Sequence, residues 1–480
     1  MFHLRLFFNY TAYTALLIFS SVILLTGCGR RSMEGKIIVT VAKAGIEKPD
    51  YVSGDSWRYI TDSRLLAIDV KKPGKTPKNL TADFSSARSP EISYDGTHLL
   101  FTGQKDQNDA WQIWEMDLGS LKARQITHSS ENSIDPAYLP GGKIVFSRLI
   151  PKDSLKAGHN LFTCNLDGTD IRRITFNPHT YFASSVLKDG RIISFSRQVF
   201  PYSEGPSFMV LRPDGTKAEL FYKGEKGSEL FSRGWETGNG KIVFIETCKD
   251  GSEASSIVSV NYNRPLHSRI DLTHSSPGKY ASVFPEKNGN LLVSFRSEAE
   301  KAYSLYEFDY EKSMLGNMLY RSDEGDVIEA VEVAAHERPR KLPSEVDMGV
   351  KTGLMLCQNI NVTGMTSPET GFSLPAADRI EIIGIDSSLG VVEVETDGSV
   401  YLKVAADMPF RIKTMDKLGK TVNGPGAWYW LRPNERRGCV GCHEDNEIVP
   451  ANRYAIAVSK NPITVPVHFT GLREKKVELE

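Results

Sequence analysis

The chain has 480 residues, with 58 Lys and Arg against 59 Asp and Glu, a formal net charge of −1 and 24% charged side chains. This balance excludes a basic nucleic-acid-binding protein and a long acidic disordered tail, and the length favours about two or three domains. The glycine and proline contents, with 10% aromatic residues, favour a turn-rich β protein over a helical bundle. The cysteines are too sparse for a disulfide scaffold. They are Cys28, Cys164, Cys248, Cys357, Cys439 and Cys442.

Residues 1–27 have the pattern of an export signal. Arg5 supplies a positive charge, and residues 14–25 form an apolar run without a charged side chain. Leu-Thr-Gly and then Cys28 follow, which resembles a bacterial lipoprotein signal with an acylated cysteine as the mature N-terminus. An uncleaved anchor helix is the alternative, although the run is short for a membrane span. Both interpretations place the body of the protein outside the cytoplasm, and we expect it in the cell envelope, with a lipid anchor on Cys28 and the body facing the periplasm.

A pattern recurs about every 47 residues through the middle of the chain. The repeats end at Thr81, Thr127, Thr175, Tyr222, Thr273 and Tyr320. Apolar, β-rich stretches that begin at glycine turns precede these endings, as in YDGTHLLFTG at 94–103. One such unit matches one four-stranded blade, so we predict a six-bladed β-propeller over residues 37–340, closed by a strand within 327–335. A linear β-solenoid is the alternative, but its repeats are shorter and it needs caps.

The stretches RSPEISYDGTHLLFTG and SIDPAYLPGGKIVFSR also resemble TolB-type, WD40-like propeller repeats. That resemblance implies the propeller fold and says little about function. His128 and His274 follow threonine at equivalent repeat endings, and we interpret them as structural. Cys164 and Cys248 lie near strands of different repeats and are expected to be buried free thiols rather than metal ligands or a disulfide.

A second domain is predicted at 350–480. The charged, proline-containing segment RPRKLP at 338–343 is typical of a linker, and alternating apolar stretches after it indicate a compact β domain. Within that domain, VVEVETDGSVYLKV alternates on both sides of Asp397-Gly398, which predicts a hairpin. The overall expectation is therefore an all-β protein.

The strongest motif in the sequence is the pentapeptide Cys-Val-Gly-Cys-His at 439–443. Two thiols at positions i and i+3 can each form a thioether with a haem vinyl group, and the adjacent histidine then supplies an axial nitrogen to the iron. We therefore predict one covalently attached haem c, held by Cys439 and Cys442, with His443 as the iron ligand. Export supports this prediction, because c-type haem is attached outside the cytoplasm.

Two other chemistries use the same residue types. A zinc site would need further ligands, for which Cys357 and His468 are the candidates, at no zinc-finger spacing. A redox dithiol would be expected in a thioredoxin-like context, which the sequence does not show. For a haem, Met408, Met415 and His468 are the candidates for the sixth iron position, which water or a vacancy could equally occupy. The aromatic stretch at 428–431 could form a haem wall, ordinary domain core, or both.

The stretches ETDGSVYLKVAADMPFRIKTMDKLGK and WYWLRPNERRGCVGCHE resemble the middle domain of the hydrazine synthase alpha subunit family. The resemblance implies a propeller ahead of a β domain that ends in the haem motif, and it carries haem attachment to Cys439 and Cys442. It also implies a motif histidine that binds zinc beside a propeller cysteine, with a nearby downstream tyrosine on the iron. Here residues 444–447 contain no tyrosine and the next is Tyr454. We therefore expect His443 to bind the iron as an ordinary axial ligand.

Three functions fit these features. Electron transfer to or from a redox partner is the leading hypothesis, with the propeller positioning a single haem. A haem enzyme acting on a small nitrogen or oxygen species is the second. The third is a binding module for an envelope protein, with a structural or sensory haem.

Overall fold

The computed structural model describes residues 33–43, 57–151, 158–249, 254–363, 375–441 and 453–466. In these residues the regular structure is β-strand, apart from the short 3-10 helices Pro265–His267 and Ile456–Ser459. The prediction of an all-β protein is confirmed. No helix in the described ranges is long and apolar enough to cross a bilayer.

Six antiparallel sheets occupy residues 37–332. Sheet 1 contains Ile37–Ala42, Ser63–Ile68, Lys78–Asn79 and Asp326–Glu332; sheet 2 contains Ser86–Ile92, His98–Gln104, Gln112–Asp117 and Ala123–Gln125. Sheet 3 contains Ser133–Leu139, Lys143–Ile150, Gly158–Asn165 and Arg172–Arg173; sheet 4 contains His179–Val186, Ile192–Gln198, Ser207–Leu211 and Glu219–Tyr222. Sheet 5 contains Ser228–Leu230, Trp235–Glu236, Lys241–Cys248, Ser255–Asn261 and Ile270–Asp271; sheet 6 contains Lys279–Pro285, Leu291–Arg296, Ser304–Asp309 and Met314–Tyr320.

Sheet 1 joins the two ends of the repeat region. Its strand Ile37–Ala42 pairs on one side with Ser63–Ile68 and on the other with Asp326–Glu332, both antiparallel. The first and last repeat segments are therefore hydrogen-bonded neighbours, at the position where a closing strand is expected. Because these strands pair with each other, neither has a free backbone edge where the two ends of the repeat region meet.

The recurring threonines have a structural role. Thr81, Thr127 and Thr175 are buried, and each side-chain oxygen accepts a hydrogen bond from a backbone N–H of a preceding strand, at Leu65, Ile113 and Leu161. The three distances are 3.0, 2.9 and 3.0 Å. A hydroxyl at this position satisfies a backbone group next to the short fourth strand, which explains why threonine recurs. His128 and His274, which follow such threonines, are exposed.

The β domain contains two further sheets around one core. Sheet 7 runs in the order Arg436–Cys439, Thr352–Cys357, Val400–Ala405 and Ile463–Thr464; sheet 8 runs in the order Ser388–Glu393, Arg379–Ile383, Arg411–Met415 and Thr421–Asn423. Side chains of both sheets, including Leu402 and Ile380, are buried together in one hydrophobic cluster. The domain is therefore a two-layer β structure.

The predicted hairpin at Asp397-Gly398 is wrong in its pairing. The turn is present, since the Gly398 N–H donates to the Glu395 carbonyl oxygen at 2.8 Å. However, Ser388–Glu393 belongs to sheet 8 and Val400–Ala405 to sheet 7. Both strands alternate because both face the shared core, so the chain crosses between layers at this turn.

The segment between the two domains is extended and lies on the propeller turns. The His336 N–H donates to the Tyr94 carbonyl oxygen, and the Arg340 N–H donates to the Lys188 carbonyl oxygen, each at 3.0 Å. Gly190, with φ +90°, sits directly beneath: a Cβ there would lie 2.0 Å from the Arg340 carbonyl oxygen. Glycine is therefore required both for the turn and for the close approach of the linker.

Candidate haem-attachment site

Cys439 is the last residue of a short strand at the edge of sheet 7. The strand Arg436–Cys439 runs parallel to Thr352–Cys357, with Cys439 in register with Cys357. Cys357 is buried and Cys439 is partly exposed. Both line one small cavity of about 30 Å³, together with Tyr429 and apolar side chains of the domain core. The first motif thiol is thus placed at the boundary between the core and the surface.

The backbone after Cys439 is held against the preceding sheet. The carbonyl oxygens of Cys439 and Val440 accept hydrogen bonds from the N–H groups of Gln358 and Asn359, at 2.9 and 3.1 Å. A Cβ on Gly441 would lie 2.2 Å from the Val362 carbonyl oxygen, so only glycine fits between the two segments. The first three residues of the motif therefore have a fixed path. Cys442 and His443 lie outside the described residues.

After the motif, the chain returns to the segment that is hydrogen-bonded to Cys439. The Arg453 guanidinium donates to the Gln358 carbonyl oxygen at 2.7 Å, and Gln358 is the residue whose N–H bonds to Cys439. The Ile456 N–H then donates to the Asp397 carboxylate at 3.0 Å. Tyr454, the first tyrosine after the motif, is 72% exposed.

Glu435 holds the strand Arg436–Cys439, the attachment strand, in place, and no sequence motif marks this residue. Its side chain has no exposed surface, yet its carboxylate accepts hydrogen bonds from four donors. One oxygen accepts from the Lys217 N–H at 2.9 Å and from Arg437 Nη2 at 2.8 Å and Nε at 3.2 Å. The other accepts from the Arg432 N–H at 2.8 Å. Because Lys217 belongs to the repeat region, this carboxylate ties the strand carrying Cys439 to the propeller.

The aromatic stretch before the motif faces two directions in alternation. Trp430 is 1% exposed and packs in a cluster formed by sheets 3 and 4, while the Trp428 indole N–H donates to the Phe200 carbonyl oxygen at 3.0 Å. Tyr429 and Leu431 instead pack on the β-domain core. Residues 428–431 are therefore core residues, of which Trp428 and Trp430 contact the propeller and Tyr429 and Leu431 the β domain.

The remaining cysteines of the repeat region differ in environment. Cys164 is buried and free, as expected, and burial raises the pKa of its thiol to about 11, which keeps it protonated. Cys248 is free but exposed, so the expectation of a buried thiol is wrong there. It is the last residue of the strand Lys241–Cys248, where the strand leaves the sheet.

The candidates for iron and zinc ligation are only partly described. Met415 is 6% exposed in the β-domain core and Met408 is 48% exposed. His468, like Cys28, lies outside the described residues. Within the part of the chain that the structure describes, no group of three or more His, Cys, Asp or Glu side chains could hold a metal ion.

The described residues fit a haem at the attachment point and not inside the domain. The cavity beside Cys439 has room for about two water molecules, far less than a porphyrin needs. Its apolar lining and the partly exposed Cys439 thiol are nevertheless compatible with a thioether bond to the apolar, vinyl-bearing edge of a haem.

Comparisons with known proteins confirm the resemblance. Residues 356–444 match the family model "Hydrazine synthase alpha subunit middle domain". The hydrazine synthase subunit alpha of Kuenenia stuttgartiensis is 22% identical over 530 residues, covering 83% of this chain and 65% of that protein. This chain thus spans less than two thirds of the relative's length.

A solved structure gives the same result for the fold. The Kuenenia stuttgartiensis hydrazine synthase structure aligns with a TM-score of 0.77 at 20% identity, covering 89% of this chain and 71% of that one. TolB from Acinetobacter baumannii aligns with a TM-score of 0.45 at 16% identity, covering 62% of this chain and 66% of its own. The chain resembles the hydrazine synthase alpha subunit across both the repeat region and the β domain.

Proposed function

We propose that this protein is a lipid-anchored, monohaem c-type cytochrome of the cell envelope, facing the periplasm, that transfers electrons to or from a redox partner. The observation that carries the proposal is the position of Cys439: the first thiol of a CxxCH motif stands partly exposed at the end of an immobilised strand. Cys439 and Cys442 would hold the haem, and His443 would bind its iron. The bound haem supplies reversible one-electron transfer.

The surrounding chain would keep the attachment point rigid. Glu435, Arg437 and the N–H of Lys217 fix the strand, and Gly441 fixes the backbone that follows it. Rigid attachment favours electron transfer, because little structure has to rearrange between the two oxidation states. In this proposal the six sheets are six blades of a closed TolB-like propeller over residues 37–340, and 350–480 is the haem-bearing domain.

Location and partner belong to the same proposal. Cys28 would be acylated after removal of residues 1–27, and the lipid would be the contact with the membrane. A redox protein or another envelope protein would then reach the haem from the periplasm. We propose no nucleic-acid partner, since the charge balance offers no basic surface excess.

A haem enzyme that acts on a small nitrogen or oxygen species is the second candidate. The resemblance to a hydrazine synthase alpha subunit favours it. The two candidates differ at the iron: electron transfer needs two strong protein ligands, whereas catalysis needs an open position.

The test is expression with haem-maturation machinery, followed by mass spectrometry and absorption spectroscopy. We expect one covalent haem in the wild type, a single thioether at most in Cys442→Ala or Cys439→Ala, and an altered spin state in His443→Ala. Cys248→Ser, at an exposed thiol of the repeat region, is the matched control and should change nothing. Protein that contains zinc and no covalent haem would refute the proposal. A reduced, five-coordinate high-spin spectrum that responds to carbon monoxide would favour the enzyme instead.

A further inference from the structure

A cavity of about 60 Å³ lies at the centre of the repeat region, between residues of sheets 1, 2, 5 and 6. Three guanidinium groups line it, from Arg58, Arg88 and Arg233. Arg58 and Arg88 are only 6% and 3% exposed. Buried cations are costly unless anionic partners compensate them, so the partners of each arginine decide what the cavity can hold.

The first arginine is paired with a carboxylate that has other hydrogen-bond donors on both of its oxygens. Arg58 forms an ion pair with Asp135 and donates to the Ser89 hydroxyl at 3.2 Å. Asp135 also accepts from that hydroxyl and from the Ala183 N–H, each at 2.8 Å. Burial is the largest single influence and would raise the pKa of Asp135, but the charges of Arg58, Arg88 and Arg233 and the hydrogen bond from Arg58 together hold the pKa below its ordinary value. Asp135 is thus an anion that accepts three hydrogen bonds, with both carboxylate oxygens engaged.

The second and third arginines bridge between sheets. Arg88 Nη2 contacts Glu329 of sheet 1 at 2.6 Å, and Glu329 also accepts from the Ser89 N–H at 2.9 Å. Arg233, between two strands of sheet 5, donates to the Glu91 carboxylate of sheet 2 at 2.9 Å. These contacts join inner segments from different sheets, so the arginines are held in fixed positions around the cavity.

The partners leave the cavity electropositive. The Nε–H groups of Arg58 and Arg88 have no hydrogen-bond partner among the described protein atoms. Burial holds the pKa of Glu91 near 7, so three guanidinium groups face two constant carboxylates and one that is partly protonated at neutral pH. Free N–H donors, next to carboxylates that do not fully balance the charge of the arginines, are the features of an anion site.

We propose that this cavity binds one small planar monoanion, of the class of formate, nitrite and bicarbonate, between Arg58 and Arg88. The planar guanidinium groups match a planar anion with two oxygens. The volume corresponds to about four water molecules, which suits an anion of about three or four heavy atoms and excludes larger ones. The site is separate from the attachment strand, since the β domain contacts sheets 3 and 4.

Formate is the probe for the first experiment. Isothermal titration of the full chain with sodium formate should show saturable one-to-one binding, and the fluorescence of Trp57 and Trp235, which line the cavity, should change over the same range. Removing the Arg88 contact should weaken formate binding at least about tenfold, because a charge-assisted hydrogen bond is lost. The variant is Arg88→Gln combined with Glu329→Gln, which removes both members of the ion pair and leaves neither charge buried alone.

Arg212→Gln is the matched control, because Arg212 lines a different basic cavity of about 320 Å³ next to the linker. It should leave formate affinity unchanged. Equal affinity in the wild type and the double variant, weakening by Arg212→Gln alone, or no saturation below about 50 mM formate would each overturn the proposal. If the double variant does not fold, a size series on the wild type decides: nitrite should compete with formate, and equal competition by benzoate would refute a cavity of this size.

Discussion

Glu435→Gln is the sharpest test of how the attachment strand is held. The native carboxylate accepts from four donors and has no exposed surface. Glutamine keeps one acceptor oxygen but directs an NH₂ group at a donor, and it leaves the Arg437 side chain, 8% exposed, without its ion-pair partner. Breaking a buried ion pair in this way costs about 3–5 kcal/mol, a large part of the stability of a typical domain.

Urea denaturation followed by tryptophan fluorescence measures this loss, and haem yield reports its effect on the strand. Glu345→Gln is the control at the same domain boundary, since Glu345 pairs with Arg212 at 3.1 Å with 37% of its side chain exposed. We expect less than about 1 kcal/mol there. Adding Arg437→Met to Glu435→Gln should recover part of the stability, because the unpaired charge is removed. A loss for Glu435→Gln no greater than for Glu345→Gln would refute the reasoning.

Three further predictions concern other parts of the chain. Gly441→Ala should lower the free energy of unfolding by about 1–3 kcal/mol and reduce haem attachment, because the new Cβ would meet the Val362 carbonyl oxygen. Gly438→Ala is the control, since a Cβ there would have no neighbour within 4 Å. Equal effects of the two substitutions would contradict the packing argument. Burial raises the pKa of Glu91 from 4.5 to about 7, so its contribution to stability is complete below the lower value and is lost as the pH rises towards the upper one. The free energy of unfolding should therefore fall by up to about 3 kcal/mol over this pH range. Glu91→Gln should make it nearly independent of pH, as measured by urea denaturation at about pH 5 and about pH 8. An unchanged pH dependence would exclude Glu91 as its source. Cys28→Ser should release the protein from membranes, and identical detergent partitioning and mature mass for both proteins would exclude acylation.

Much of the fold follows from local sequence signals. The threonine endings and glycine turns of the repeat region reflect single hydrogen bonds and backbone angles, such as Thr127 with the Ile113 N–H. Such features repeat whenever the local geometry repeats, so their spacing predicted the sheets and the strand that joins the ends. The motif at 439–443 was equally local, because thioether attachment depends on adjacent residues.

The features that the sequence did not reveal depend on contacts between distant segments. Alternation around Asp397-Gly398 predicts two strands facing an apolar core, and it is the same whether the strands pair or lie in opposite layers. In the sequence, Glu435 is one charged residue in a polar stretch. Its role could not be predicted, because one of its hydrogen-bond donors is Lys217 in the repeat region. The arginines of the central cavity come from separate repeats, so no short motif brings them together.

The aromatic stretch allows the last of these contacts to be tested with neighbouring residues. Trp430 packs on sheets 3 and 4 and Leu431 on the β-domain core, so adjacent truncations should loosen different regions. Trp430→Ala should cost about 3–5 kcal/mol and Leu431→Ala about 2–5 kcal/mol. Hydrogen exchange distinguishes them: Trp430→Ala should expose amides at the domain boundary, including that of Lys217, whereas Leu431→Ala should expose those of the strands Thr352–Cys357 and Val400–Ala405. The same exchange pattern in both variants would show that the domains open together, and that Trp430 does not specifically hold the boundary.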